Sequence, residues 1–142
     1  MNRALTGQDT GMGEPDPHVE VTVTAQDDES AEIRVVGDLT EDARRPLVRT
    51  MTDLMLHLPG LRRVRVDTSE VTFMNSAGMA TLVQLQKMGQ PRGIDLVLVV
   101  QSAAVTRPLQ LSGLWHRFTI IDLREGTPET VHEATPRHTE HS

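Results

Sequence analysis

From Val19 to Thr24 apolar and polar residues alternate, the period of two expected of a strand with one buried face. A polar turn over Gln26–Ser30 follows, and Ile33, Val35 and Val36 then lead to Gly37. This pattern predicts two strands joined as an antiparallel hairpin. From Asp42 to Leu58 the period changes: Leu47, Val48, Met51, Leu54, Met55 and Leu58 share one face of a helix. Glu41 and Asp42 favour its positive end, Pro46 is tolerated only near the first turn, and Pro59-Gly60 stops it. Leu61, Val64 and Val66 give a third strand ending at Asp67. A helix that leads to a strand beside an existing one is a crossover, so part of the sheet is expected to be parallel.

A loop through Ser69 and Thr72 precedes a second amphipathic helix, marked by Met79, Leu82, Val83 and Met88 and stopped by Gly89 and Pro91. Ile94–Val100 is nearly continuous in apolar residues, as suits a strand covered on both faces. A short helix from Ser102 to Leu111, broken or bent near Pro108, and a last strand over Thr119–Ile121 complete the order ββαβαβαβ. The fold class is therefore α/β: a mixed sheet of about five strands with helices packed mainly on one face.

Composition sets the limits of this domain. Residues 1–17, with Gly7, Gly11, Gly13, Pro15 and Pro17, and residues 125–142, with Pro128 and Pro136, hold too little apolar surface to offset the entropy of ordering. They are read as disordered tails around one domain at 18–124, and 142 residues leave no room for a second full domain. An aromatic content of 2% and a net charge of −6, with arginines scattered among carboxylates, argue against a stacking platform or a nucleic-acid surface. The absence of cysteine removes disulfides, thiolate zinc sites and a cysteine nucleophile, and suits a reducing compartment. The longest apolar run, Leu96–Val100, is far short of the roughly 18 residues of a membrane span, and no signal-peptide core is visible. A soluble, cytoplasmic protein is expected.

The chemistry concentrates in Phe73-Met-Asn-Ser-Ala-Gly78, between the third strand and the second helix. Asn75 and Ser76 are residue types that cap helix N-termini. A hydroxyl exposed there is also well placed for a phosphate, because free N–H groups and the helix dipole hold the added charge.

Gly37-Asp-Leu39, Val64-Arg-Val-Asp67, Val71–Gly78 and Ser112-Gly-Leu114 together resemble, in order and spacing, the STAS family, in particular the bacterial anti-sigma factor antagonists. The resemblance spans residues 19 to 123. It implies a sheet with helices on one side and a binding switch in place of an enzyme. It implies as partner an anti-sigma factor that is also a serine kinase, with a phosphatase to reset the switch. ATP and Mg²⁺ would belong to that kinase, and this chain would need no cofactor and no metal. By position Ser76 is the phosphoacceptor, and Asp38, Thr40, Asn75, Ala77, Gly78 and Met79 form the partner-binding and switch positions. Three residues depart from the family pattern: Asn75 where Asp is usual, Ala77 where a second hydroxyl is common, and Thr40 where an acid commonly follows Gly-x-Leu. Asn75 and Thr40 each remove a negative charge near Ser76, whereas Ala77 leaves Ser76 without a competing neighbour.

Other readings are weaker. A STAS module that never cycles phosphate, serving as scaffold, adaptor or small-ligand sensor, is kept open by Asn75 and Thr40. A serine hydrolase would draw on Ser76, His116 and Asp95 or Asp122, but Met74 stands where a nucleophile elbow needs glycine. His132, His138 and His141 lie in a polar segment without ligand spacing, and Trp115 and the methionines Met51, Met55, Met79 and Met88 are assigned to packing.

Overall fold

Apolar residues that line up across neighbouring strands build the core side of the sheet. In the computed structural model, which describes residues 18–124 and the backbone of 130–132, Ile33, Val66, Leu98 and Ile120 lie in one such row. Ala31, Val64 and Leu96 form the next. These rows cross β2 (Ser30–Leu39), β3 (Arg63–Met74), β4 (Asp95–Val100) and β5 (Thr119–Asp122), with β1 (Val19–Gln26) and β6 (Thr130–His132) at the two edges of the sheet. The strands lie in chain order across the sheet. β1 and β6 run antiparallel to their neighbours, and β2 to β5 are mutually parallel.

The predicted hairpin is present. Asp27 Oδ1 accepts from the backbone N–H groups of Glu29 (2.9 Å) and Ser30 (2.8 Å), which fixes the turn between β1 and β2 and holds the Asp27 carboxyl below its ordinary range.

Three helices cover one face: α1 (Arg44–His57), α2 (Ser76–Gly89) and α3 (Ala103–Ser112). Leu47, Met51 and Leu54 of α1, Leu82 and Leu85 of α2, and Val105 and Leu109 of α3 join the same buried cluster as the strand rows. Each fully buried aliphatic side chain there is worth about 1.5–3 kcal/mol relative to exposure. The helical face read for α1 is the buried one, with Val48, Met55 and Leu58 at its margin. Met51 is fully buried, and Met55, Met79 and Met88 pack against the core as expected. Trp115 is buried too. On the opposite face, Glu32 and Arg65 pair with Val97 and Thr119 in one row. Val97 and Val99 are nevertheless buried, so β4 is covered on both sides as its unbroken apolar run implied.

Three boundaries differ from expectation. β3 does not end at Asp67 but continues to Met74, because register shifts against β2, between Arg34 and Val36 and between Gly37 and Asp38, break its alternation. Its buried positions run 64, 66, 68, 71 and 74, a sequence that reads as a loop when a strict period of two is sought. α3 passes through Pro108 without a break, the first of the two outcomes expected there. Thr130–His132, inside the segment read as a tail, form a sixth short strand on β5, an edge pairing that adds to the five expected. Residues 1–17, 125–129 and 133–142 lie outside the described residues, as do His138 and His141 of the histidine group. No helix among the described residues is long and apolar enough to cross a membrane, and none of their His, Cys, Asp or Glu side chains cluster as a metal site.

Candidate functional site

The parallel pairing of β2 with β3 ends at Leu39 beside Met74, so whatever follows each strand meets at one corner of the sheet. After β2 come Thr40 and a single 3-10 turn, Glu41–Ala43, leading into α1. After β3 come Asn75 and α2. The Asn75 N–H donates to the Leu39 carbonyl (3.3 Å), stitching the two exits together.

Each exit is capped by its own side chain. Asn75 has extended backbone, φ −108° and ψ −176°, and its Oδ1 accepts from the Gly78 N–H at 2.9 Å. Its carbonyl accepts from the Met79 N–H at 3.1 Å, the first turn of the helix. Thr40 Oγ1 accepts from the Asp42 N–H at 3.4 Å and caps the short turn in the same way. The two capping elements then touch: Asn75 Nδ2 donates to Glu41 Oε1 at 3.1 Å. The Glu41 carboxyl is held below its ordinary range, first by its own backbone N–H and then by the Asn75 amide.

Ser76 is the first residue of α2 and is exposed. Ala77 and Met79 beside it are half-buried; Met79 Sδ also receives the Ser112 hydroxyl at 3.7 Å, where the Ser112-Gly-Leu114 motif reaches the same corner. Phe73, 51% exposed at the end of β3, adds apolar surface that the sequence reading had not assigned to the site. Asp38 is half-buried, accepts weakly from the Thr72 hydroxyl (3.4 Å), and donates its N–H to the His18 carbonyl (2.7 Å). Gly37 makes that last contact feasible: its φ is +106°, and a Cβ would stand 2.2 Å from the His18 oxygen. Gly78 differs from the other site positions in being buried. A Cβ there would lie 1.9 Å from the Leu39 carbonyl oxygen, so its place in the motif is to let α2 close onto β2.

The structure thus brings Asp38, Thr40, Asn75, Ser76, Ala77, Gly78 and Met79 to one corner. It also adds Glu41, which the sequence had marked only as a helix-start charge. Of the residues a hydrolase would draw on, Asp95 lies away from this corner. Asp95 stands at the start of β4, at the far end of the sheet from Ser76, accepting from Thr119 Oγ1 (3.0 Å) and pairing with Arg63 (3.6 Å). Asp122 is bound by the Arg124 guanidinium at 2.5 Å, which holds its carboxyl below the usual range.

A mixed sheet with helices on one face and an exposed serine at the start of a capped helix defines a class of small α/β modules built around a surface site. The family model described as Mlab, STAS domain, matches residues 22–123, and the chain belongs to the STAS-domain family. Its fold is similar to that of an anti-sigma factor antagonist from Mycobacterium paratuberculosis, with a TM-score of 0.61, 22% identity, and coverage of 77% of this chain and 89% of that one. It is likewise similar to the anti-sigma factor antagonist SpoIIAA in its unphosphorylated form, with a TM-score of 0.63, 17% identity, and coverage of 72% and 87%.

Proposed function

We propose that this protein is a cytoplasmic anti-sigma factor antagonist. It binds an anti-sigma factor that is also a serine kinase, frees the sigma factor held there, and is switched off by phosphorylation of Ser76. ATP and Mg²⁺ are the kinase's, a phosphatase returns the chain to its binding form, and this chain itself catalyses nothing.

The observation that carries this reading is exposed Ser76 on a helix start fixed from two strands by Asn75, with exposed Phe73 three residues earlier at the end of β3. The fold it shares with two antagonists supports the same assignment. A phosphate there adds about −1.5 to −2 charges. In the middle of a docking surface that charge must be desolvated against the partner, and release follows.

The test is incubation with candidate anti-sigma kinases, ATP and Mg²⁺, followed by mass mapping, together with pull-downs of Ser76→Ala and Ser76→Asp. Phosphate on Ser76, constitutive binding by Ser76→Ala and weak binding by Ser76→Asp are expected. Equal binding by the two variants removes the switch from this residue. Partner binding without phosphate on Ser76 identifies instead a module that does not cycle phosphate, the reading that Asn75 and Thr40 would favour.

A further inference from the structure

The residue before the phosphoacceptor is an amide, not an acid, and the structure gives that amide a specific occupation. Asn75 uses both ends of its side chain: Oδ1 accepts from the Gly78 N–H at 2.9 Å, and Nδ2 donates to Glu41 Oε1 at 3.1 Å. An aspartate at 75 would retain the first bond and lose the second, and it would set two carboxylates against each other at that separation. The asparagine is therefore what allows a carboxylate from another element to dock beside the start of α2.

Thr40 completes the arrangement. Its hydroxyl caps the turn, accepting from the Asp42 N–H at 3.4 Å, so the charged side chain of the next residue is left to reach Asn75. The negative charge missing from positions 40 and 75 stands at Glu41, exposed, one residue into the turn that opens α1.

We propose that Glu41 is a positioning residue of the Ser76 switch: docked on Asn75, it ties the charge state of Ser76 to the Glu41–Ala43 turn and the start of α1. The inference rests on Ser76 being the phosphoacceptor. A phosphate on the residue next to Asn75 introduces a second anion into the neighbourhood of the Glu41 carboxylate. Repulsion weakens the Asn75–Glu41 bond, and the turn is released from α2. One covalent event at the start of α2 thereby alters two adjoining surface elements, and the partner reads both.

The coupling is measured without a kinase by installing phosphoserine genetically at position 76 of the full chain and recording amide NMR spectra. In the wild-type background, phosphoserine should shift the Asn75 side-chain amide and the backbone amides of Glu41, Asp42 and Ala43. With Glu41→Gln, which keeps an acceptor but no charge, phosphoserine should leave the three turn amides at their unphosphorylated positions. Turn amides that do not move in the wild type, or that move equally in both backgrounds, overturn the proposal. A second pair of variants needs no phosphate. Asn75→Asp should displace the turn amides alone, and Asn75→Asp with Glu41→Gln, which exchanges amide and carboxylate, should return them. A double variant as displaced as Asn75→Asp would equally overturn it. Failure of these spectra leaves the partner reading intact, whereas a kinase that ignores Ser76 leaves the coupling intact, so the two outcomes are separable.

Discussion

Gly78→Ala is a substitution for which two elementary arguments give opposite signs. Helix propensity alone favours alanine by about 1 kcal/mol at an interior position, because glycine loses more backbone freedom on folding. The packing argues the reverse. The added Cβ would sit 1.9 Å from the Leu39 carbonyl oxygen and 2.7 Å from its carbon, backbone atoms that cannot swing aside as a side-chain tip would. Reaching even a strained 3.0 Å requires the start of α2 to retreat by about 1.1 Å. That retreat stretches the 3.3 Å bond from the Asn75 N–H to the same Leu39 carbonyl beyond hydrogen-bonding range. Overpacking of this kind costs about 1–3 kcal/mol and a lost backbone bond about 1 kcal/mol. Against the propensity gain, a net loss of about 1–3 kcal/mol remains. For a domain of this size that lowers Tm by roughly 5–15 °C. Thermal and urea unfolding followed by far-UV circular dichroism measure it directly. A Gly78→Ala variant as stable as the parent, or more stable, would refute the close approach of α2 to β2 and with it the geometry of the site.

Two further expectations concern the scaffold. Arg92, beyond the end of α2, donates to the carbonyls of Met55 (2.6 Å), Leu58 (2.8 Å) and Pro59 (3.2 Å), closing the negative end of α1. Arg92→Ala should cost about 1–2 kcal/mol in urea unfolding, with Arg92→Lys recovering only part because a point charge cannot span three acceptors; an unchanged midpoint would show the clamp to be idle. The Asp122 carboxyl is held below its ordinary range by the Arg124 guanidinium, so its folded value lies under its unfolded one. Its contribution is therefore complete above about pH 4 and lost as pH falls through the folded value. Asp122→Asn should flatten the fall of the urea midpoint below about pH 4, and identical acid slopes for variant and parent would count against the assignment.

Much of the architecture is written in local periodicity, and the places where it is not share one cause. The face of α1 was legible because Leu47, Met51 and Leu54 recur at helical spacing and turn inward; on α2, Leu82 is buried as read, Met79, Val83 and Met88 pack at the margin of the core, and the buried Leu85 was missed. β4 was legible because Leu96–Val100 is buried on both sides and needs no alternation. The second half of β3 was not. Its buried residues Val71 and Met74 follow Thr68 at intervals of three, because at each register shift β3 carries one more residue than the β2 stretch it pairs with. β6 likewise lies at an edge: Thr130–His132 hold one aliphatic residue, and their backbone pairs with β5.

The site divides in the same way. Asn75 as a cap and Ser76 as an exposed helix-start hydroxyl follow from residue type and position along the chain, and the structure places both accordingly. Glu41 escaped because its partner is 34 residues away and is reached only when Leu39 pairs with Met74 in a parallel ladder. In sequence, Thr40 and Asn75 look like two separate losses of charge; in space they are adjacent caps, and the glutamate between them docks on one while the other holds its turn. Two of the three departures at this corner, Thr40 and Asn75, therefore belong together. The hydrogen bonds describe one rearrangement, in which the acid comes from the β2 exit and the amide that receives it comes from the β3 exit.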